Sequence, residues 1–348
     1  MTEQTYFLGG SSPDGFRSHF GDIVRDTDYH TYIIKGGPGT GKSTMMKKLA
    51  ASFDEDKDVY LCSSDPDSYD AVVLKEHKAV VVDGTAPHIF EPEYAGAVQE
   101  IVNLGECWDS HFLKENKKEI LLAQEKYSRH HLRCRRYISA ASAVLSDTMK
   151  IAEDSLDYRR INGFINRFAA KVLPSKSSGE GRILFKQMSA ISPKGYMTII
   201  PENDTVYILN DAYFSAADYF LRSFAELARL KGLDSEVSEC TVMKDSCFEH
   251  LRIPALEVSL ISSNPINKVQ PENKKPVRLG RFYIKEAVAE KKNRLKFNCD
   301  AACELVKEAS DCLVSAKAAH DELEAFYINA VDFKKTEKLL KELISKIG

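Results

Sequence analysis

The sequence predicts an α/β fold with a parallel sheet, present in two copies, each followed by a long helical arm. Three observations support this prediction. In the first half an apolar, β-branched strand leads into a glycine-rich loop and then a helix. Short motifs from that half recur in the same order in the second half, and a proline-free segment rich in Ala, Glu, Lys, Arg and Leu follows each copy. Buried strands that alternate with helices are typical of parallel sheets.

Length and composition limit the classes of protein to consider. The chain has 348 residues, enough for two domains, and 43% hydrophobic with 28% charged residues is the balance of a globular protein. The net charge of -3 gives no basic field for nucleic acid or a membrane surface. No apolar run approaches the roughly 20 residues that span a bilayer. Without a visible secretory signal or a C-x-x-C pair among eight cysteines, we expect a reducing, cytoplasmic location.

An internal duplication organises the chain. The matching segments, in order, are 12–16 with 192–196, 31–35 with 206–210, 62–87 with 240–265 and 157–160 with 332–335. The third pair aligns without a gap. The Ser/Gly-rich segment 174–181 has the composition of a linker. The predicted domains are therefore 1–174 and 181–348, each with a core and an arm.

Local patterns predict the elements of each half. Strands are expected at 31–35, 59–62 and 79–82, a helix at 44–52, and helical arms from about 95 to 172 and about 281 to 347. Short apolar segments at 6–8 and 183–185 open the two halves. Each half thus offers fewer strands than a usual sheet of this class.

The segment 36–43 matches G-x-x-x-x-G-K-[ST], the Walker A pattern of a phosphate-binding loop, or P-loop. Its glycines permit unusual backbone angles and let main-chain N–H groups approach phosphate oxygens at a helix start. Lys42 is suited to reach the β- and γ-phosphates, and the Ser43 hydroxyl to ligate Mg²⁺. The predicted nucleotide-binding residues are Gly36, Gly37, Pro38, Gly39, Thr40, Gly41, Lys42, Ser43 and Thr44.

Asp83 ends the apolar strand that begins at Ala79, as a Walker B carboxylate does. Ligands bind at the carboxyl ends of parallel strands, so this side chain is predicted to lie beside the ion. The predicted metal ligands are Ser43 and Asp83, and the predicted catalytic residues are Lys42 and Asp83. The implied cofactors are ATP and Mg²⁺.

Three further polar residues leave two interpretations open. Asp65 and Asp67 follow another predicted strand, either to position water or a substrate or to satisfy the N–H groups of a turn. His88 either faces the γ-phosphate or is a structural loop residue.

The second half lacks the residues of this chemistry. In the alignment, the residues opposite Gly41, Lys42, Ser43 and Asp83 are Ala216, Ala217, Asp218 and Ile261. No lysine remains for the phosphates, and a carboxylate at 218 would repel them. We therefore expect a degenerate second copy and one nucleotide per chain.

The chain resembles an uncharacterised bacterial family of tandem P-loop ATPases. The segments that carry the resemblance are 36–44, 62–67, 82–88 and 97–105, of which Asp-Gly-Thr-Ala-Pro-His at 83–88 is the most distinctive. The resemblance covers the full length and implies an ATP-binding protein with a duplicated core. It implies no particular substrate. One departure is expected: segment 157–160 follows a shorter connection than its counterpart in the second arm.

Three functions are compatible with the motifs. An ATPase switch that moves the arms is the first, and a small-molecule or nucleotide kinase is the second, because residues 83–87 are similar to the Asp-Gly-x-Pro strand end of nucleoside monophosphate kinases. Against the kinase, His88 stands where those enzymes have an arginine. A nucleotide-dependent scaffold with little turnover is the third. The absence of an Asn/Thr-Lys-x-Asp motif favours ATP over GTP.

The arms and the second core suggest interaction roles. A basic cluster on the first arm (His130, His131, Arg133, Arg135 and Arg136) is interpreted as a solvated helix face rather than a nucleic-acid site. The arms are expected to pack together or to contact a protein partner. The two cores are predicted to form an internal pseudo-dimer, the alternative being two independent domains. Such a pseudo-dimer would offer a basic residue in trans to the γ-phosphate, with Arg222, Arg252, Arg278 and Arg281 as candidates.

Overall fold

The computed structural model describes residues 2–86, 89–175, 179–270 and 274–348. The strands of the first half are β1 (Glu3–Phe7), β2 (Gly9–Ser12), β3 (Gly15–Ser18), β4 (His30–Lys35), β5 (Lys57–Cys62), β6 (Asp65–Leu74), β7 (Ala79–Asp83) and β8 (Gln99–Asn103). Its helices are α1 (Phe20–Val24), α2 (Lys42–Ser52), α3 (Ser110–Glu115), α4 (Lys117–Asp154) and α5 (Tyr158–Val172).

The second half repeats this order. Its strands are β9 (Ile183–Phe185), β10 (Ser189–Ser192), β11 (Gly195–Thr198), β12 (Thr205–Asn210), β13 (Ser235–Glu239), β14 (Phe248–Ile253), β15 (Val258–Ser263) and β16 (Lys275–Arg278). Its helices are α6 (Ser215–Arg229), α7 (Lys285–Glu290), α8 (Lys292–Ala330) and α9 (Phe333–Ile347). Among the described residues, no helix is long and apolar enough to cross a membrane.

Each half contains a six-stranded sheet with the same strand order. The first is β1-β5-β6-β7-β4-β8, and the second, from the corresponding edge, is β9-β13-β14-β15-β12-β16. The duplicated α/β core is confirmed, but the expected purely parallel sheet with few strands is wrong. β6 and β14 run antiparallel to both of their neighbours. Their connections to the preceding strands are too short for a crossover, which a parallel pair requires.

The arms begin later than the composition predicted. Residues 99–103, assigned to the first arm, form β8, which pairs in parallel with β4 and adds the edge strand of the first sheet. The helices of the arms begin at Ser110 and Lys285. Three of the five residues of β8 are polar, so its composition resembles that of a solvated helix while its pairing is that of an edge strand.

The two arms are equivalent in length and capping, so the predicted shorter connection before residue 157 is wrong. Equal intervals separate Ser110 from Lys285, Lys117 from Lys292, and Asp157 from Asp332. Each aspartate is an N-cap whose side chain accepts backbone N–H groups of the helix that follows. The duplication therefore extends through both arms.

The two long helices, α4 and α8, pack against each other in antiparallel fashion. A bridge joins Trp108 to Val331 at one end, and a bridge joins Leu156 to Tyr283 at the other. Each helix buries a stripe of small and aliphatic residues at helical spacing: Cys134, Ile138, Ala141 and Leu145 on α4, and Ala302, Val306, Ala309 and Leu313 on α8. Two ion pairs flank the seam, Lys126 with Glu322 at 2.7 Å and Arg294 with Asp147 at 2.8 Å.

This antiparallel pairing carries each arm to the opposite half. Helix α5 packs on the second sheet, where Ile165 and Phe168 share a core with Phe220. Helix α9 packs on the first sheet, where Leu340 shares a core with Met46 and Leu49. The backbone repeats the exchange: the N–H of Asp157 donates to Phe282, and that of Asp332 donates to Cys107. Each sheet is thus completed by the arm of the other half.

The two sheets also contact each other directly. Tyr6, Leu8 and Ile33 of the first half belong to the same buried cluster as Met188 and Ile208 of the second. The buried hydroxyl of Tyr6 donates to Glu236 at 2.7 Å, and Lys186 donates to Asp58 at 2.7 Å. Burial raises the pKa of Tyr6 well above its usual range. A shared apolar cluster with paired charges at its edge joins the halves.

We expect Leu340→Ala to destabilise the first half although the residue lies near the end of the chain. The side chain is 4% exposed and packs under α2, so its removal leaves a cavity worth about 3 kcal/mol of unfolding free energy. The measurement is denaturant unfolding followed by the fluorescence of Trp108. Lys338→Ala, at a position 79% exposed on the same helix, is the control and should change little. An unchanged midpoint for Leu340→Ala would contradict the exchanged packing of α9.

Candidate nucleotide-binding site

The loop between β4 and α2 has the backbone of an anion-binding nest. Gly39 and Gly41 adopt positive φ angles of 68° and 87°, which side chains with a Cβ rarely adopt. Gly41 is the N-cap of α2 and has no side chain to accept its first N–H groups. The amides at this helix start therefore point toward a site suited to an anion. Thr40 fixes the turn, because its hydroxyl donates to the carbonyl of Gly37 at 2.8 Å.

Lys42 and Asp83 lie together at this loop, as the sequence predicted. The ammonium nitrogen of Lys42 donates to the carbonyls of Gly36 at 3.0 Å and Gly37 at 2.8 Å. It lies 3.7 Å from Oδ2 of Asp83, and both side chains are largely buried. The pairing of β4 with β7 sets this distance, since Ile34 stands opposite Asp83 in the parallel register. The ammonium group is thus held at the loop by two carbonyls and one carboxylate.

Ser43 and Asp83 carry the side-chain oxygen atoms that are candidate ligands for a metal ion. Oδ1 of Asp83 accepts from the N–H and hydroxyl of Thr85 at 2.9 and 2.6 Å. The hydroxyl oxygen of Ser43 accepts from the N–H of Tyr69 at 3.0 Å, which fixes the first turn of α2 against β6. A hydroxyl and a carboxylate fit Mg²⁺, which prefers hard oxygen ligands and keeps several waters. Thr44 follows on the exposed side of α2.

The additional acidic candidates separate in the structure. Asp65 accepts from the hydroxyl of Ser68 at 2.8 Å and lies 3.8 Å from Lys317 of the second arm. Asp67 instead binds Lys194 of the second half at 2.8 Å, and this hydrogen bond and charge lower the pKa of its carboxyl. Both carboxylates thus face lysines of the second half, Asp67 a lysine on the loop before β11 and Asp65 a lysine on α8. His88 lies outside the described residues.

Helix α8 covers the loop, a feature that the local sequence did not predict. Oε1 of Glu324 accepts the N–H of Gly39 at 3.1 Å. A Cβ built on Gly37 would lie 2.4 Å from the ring of Tyr327, and one on Gly39 would lie 2.8 Å from the carbonyl of Glu324. These close approaches explain why glycine occupies both positions. The contacts join residues far apart in the chain, so no short motif could have predicted that α8 covers the loop.

A polar cluster on α8 forms the rim beside Glu324. His320 lies 3.6 Å from Glu324, and Lys317 forms an ion pair with Asp321. Burial lowers the pKa of His320, and the neighbouring Glu324 carboxylate opposes that effect. The ligand atoms of His320, Asp321 and Glu324 lie within 4.8 Å of one another, so this trio is a second set able to hold a cation.

In the corresponding loop of the second half, a side chain of the loop itself, that of Asp211, binds the loop N–H groups. Phe214 adopts φ 67°, close to the φ of Gly39, so the loop shape persists without glycine. The buried carboxylate of Asp211 accepts from the N–H groups of Tyr213 at 3.0 Å and Ala217 at 2.9 Å and from the hydroxyl of Tyr283 at 2.9 Å. Burial raises the pKa of Asp211, and these hydrogen bonds act in the opposite direction. The nest is present, but a carboxylate occupies it.

The strand register corrects one aligned pair. Asp83 stands opposite Ile34, and the equivalent residue of the second sheet, opposite Leu209, is Ser262 rather than Ile261. The cause is one extra residue in the second hairpin, since Val59 pairs with Val72 across β5 and β6, whereas Val237 pairs with Leu251 across β13 and β14. A serine still leaves no carboxylate for the ion.

The four arginines proposed to act in trans lie around the second sheet. Arg222 binds Asp218 at 2.8 Å, and Arg252 binds Asp204 at 2.9 Å. Arg281 stacks on Phe164 and Phe282, and Arg278 lies on the edge strand β16. Arg222, Arg252 and Arg281 are therefore engaged with partners outside the loop of the first half. Lys317 of the second half lies 3.8 Å from Asp65 of the first half.

Comparisons with known proteins add no relative. No family model matches the chain, and neither curated proteins nor solved structures provide a significant match.

We expect Asp211→Asn to lower the free energy of unfolding by about 2 kcal/mol, because the amide NH₂ would face N–H donors and leave them without an acceptor. Thermal unfolding of the variant, with Asp245→Asn on an exposed loop as the charge-matched control, measures the effect. Equal melting temperatures for the two variants would contradict the assignment of Asp211 as the acceptor of this loop.

Proposed function

We propose that this protein is a Mg²⁺-dependent ATP-binding protein with P-loop chemistry, an ATPase that acts as a nucleotide switch with one site per chain. The observation that carries the proposal is the contact of Lys42 with Asp83 at a glycine-rich loop that leads directly into the N-terminus of α2. A lysine, a strand-end carboxylate, a hydroxyl and free amides are the groups that bind a triphosphate with its metal.

The chemistry follows from these groups. Lys42 exchanges the carbonyls of Gly36 and Gly37 for phosphate oxygens, where its charge stabilises the negative charge that develops on transfer. Ser43 and Asp83 hold the ion, which when bound neutralises phosphate charge. We expect the amides of Gly39 and Gly41 to donate hydrogen bonds to the phosphate oxygens.

One nucleotide per chain follows from the difference between the two loops. The second loop has neither a lysine nor a strand-end carboxylate, and Asp211 already accepts its N–H groups. We propose that the second half acts as the structural partner of the first in an internal pseudo-dimer. The shared cluster between the sheets and the exchanged helices α5 and α9 support this role. Exposed arm surfaces then remain for a protein partner.

The test is ATP turnover by Lys42→Ala and Asp83→Asn. We expect Lys42→Ala to abolish turnover and weaken binding, since it removes the cation from the phosphates. Asp83→Asn should keep the nucleotide but lose at least about a hundredfold in rate, because the ion is misplaced. Phosphate release and calorimetry with a non-hydrolysable analogue measure both effects.

Two variants of the same charge change serve as controls. Lys48→Ala removes a lysine that is also on α2 but pairs with Glu337. Asp67→Asn removes a carboxylate that is bound to Lys194. Both should retain turnover. Wild-type rates in Lys42→Ala would contradict the proposed site. Transfer of phosphate to an added acceptor rather than to water would indicate a kinase, and tight binding without turnover a scaffold.

A further inference from the structure

The first phosphate loop holds an anion supplied by the second half. The Glu324 carboxylate accepts the N–H of Gly39, one of the loop amides, at 3.1 Å. A carboxylate oxygen bound to an amide of an anion nest makes the hydrogen bond that a phosphate oxygen makes there. The backbone of α8 follows closely, since the carbonyl of Glu324 would lie 2.8 Å from a Cβ on Gly39.

The second loop provides an independent observation of the same kind. There the Asp211 carboxylate accepts two loop N–H groups, at 2.9 and 3.0 Å. That carboxylate belongs to the loop itself and is 2% exposed, so it cannot leave without unfolding the loop. In the first half the carboxylate comes from a helix of the other half. Both nests therefore have a carboxylate bound to their amides, which comes from the loop itself in the second half and from a helix of the other half in the first.

The matching arm shows that the polar residues of α8 are specific to the first loop. The equal spacing of the arms places Leu145 opposite His320, Met149 opposite Glu324 and Ala152 opposite Tyr327. Leu145 and Ala152 are fully buried, each in an apolar cluster. At the positions that face the loop carrying Lys42, α8 therefore has polar residues where the first arm has apolar ones.

We propose that Glu324 is a built-in competitor of the nucleotide phosphates, so that nucleotide binding displaces α8 from the loop. The proposal rests on the proposed function of that loop. Both anions need the N–H of Gly39, and two negative charges this close repel each other. The apparent affinity for the nucleotide is then reduced by the fraction of molecules in which the arm still covers the loop.

The displaced element is the one that joins the halves. Helix α8 pairs along its length with α4 and continues into α9, which completes the first sheet. Tyr327 contacts Gly37, and its ring also packs edge-on against Trp108 at 5.8 Å. Release of Glu324 and Tyr327 from the loop therefore changes contacts where the first arm begins and α8 ends. This couples the occupancy of the loop to the position of the arms.

The experiment measures binding of a non-hydrolysable ATP analogue with Mg²⁺ to the full chain by calorimetry. Glu324→Gln keeps the size of the side chain and an oxygen for Gly39, but removes the charge. We expect about tenfold tighter binding than in the wild type. Glu308→Gln is the matched control: it is exposed on the same helix, about 24 Å along its axis, and should bind within a factor of two of the wild type.

Each outcome decides between the claims. Equal affinity of wild type and Glu324→Gln overturns the competition and leaves the proposed function intact. Weaker binding by Glu324→Gln also overturns it, because Glu324 would then assist the ligand, for instance through the ion. Binding by neither protein, with melting curves that show both are folded, overturns the proposed function itself. Binding by Glu324→Gln alone supports the competition.

Discussion

The antiparallel packing of α4 against α8 is the contact on which the rest of the structure depends. Because the two helices run in opposite directions from opposite cores, each delivers its final helix to the sheet of the other half. The same pairing fixes the position of α8 along the loop at 36–43, and so places Glu324 on Gly39 and Tyr327 on Gly37. Small residues such as Ala141 and Ala309 at the seam permit this close approach.

Local sequence features predicted much of the core and part of the site. The loop, the helix after it and the strand ending at Asp83 follow from short-range chemistry, so Lys42 and Asp83 meet as expected. The antiparallel direction of β6 and the edge strand β8 were missed, because strand direction depends on connection length and tertiary pairing rather than on composition. The one-residue slip at Ser262 arose because the hairpin of β13 and β14 has one residue more than that of β5 and β6, which an ungapped alignment cannot accommodate.

The cover over the loop was beyond local prediction for a different reason. Gly39 and Glu324 are separated by 285 positions, and the sequence around one residue contains no indication of contact with the other. The arginines that the sequence offered in trans have acidic or aromatic partners elsewhere: Arg222 pairs with Asp218, Arg252 with Asp204, and Arg281 stacks on Phe164. What reaches the loop is an acid with a lysine and a histidine beside it. Comparison of the arms at equal spacing, with Met149 opposite Glu324, is the sequence signal that was available.

The central claim is that nucleotide and arm compete for one loop, and hydrogen–deuterium exchange with and without a Mg²⁺–ATP analogue tests it most directly. We predict slower amide exchange in the loop at 36–43, together with faster exchange in α8 at 317–328. The distal part of α8, at 295–310, should exchange at an unchanged rate, because it packs on α4 far from the loop. Slower or unchanged exchange at 317–328 on nucleotide binding would contradict the account, since α8 would then close over the ligand or ignore it.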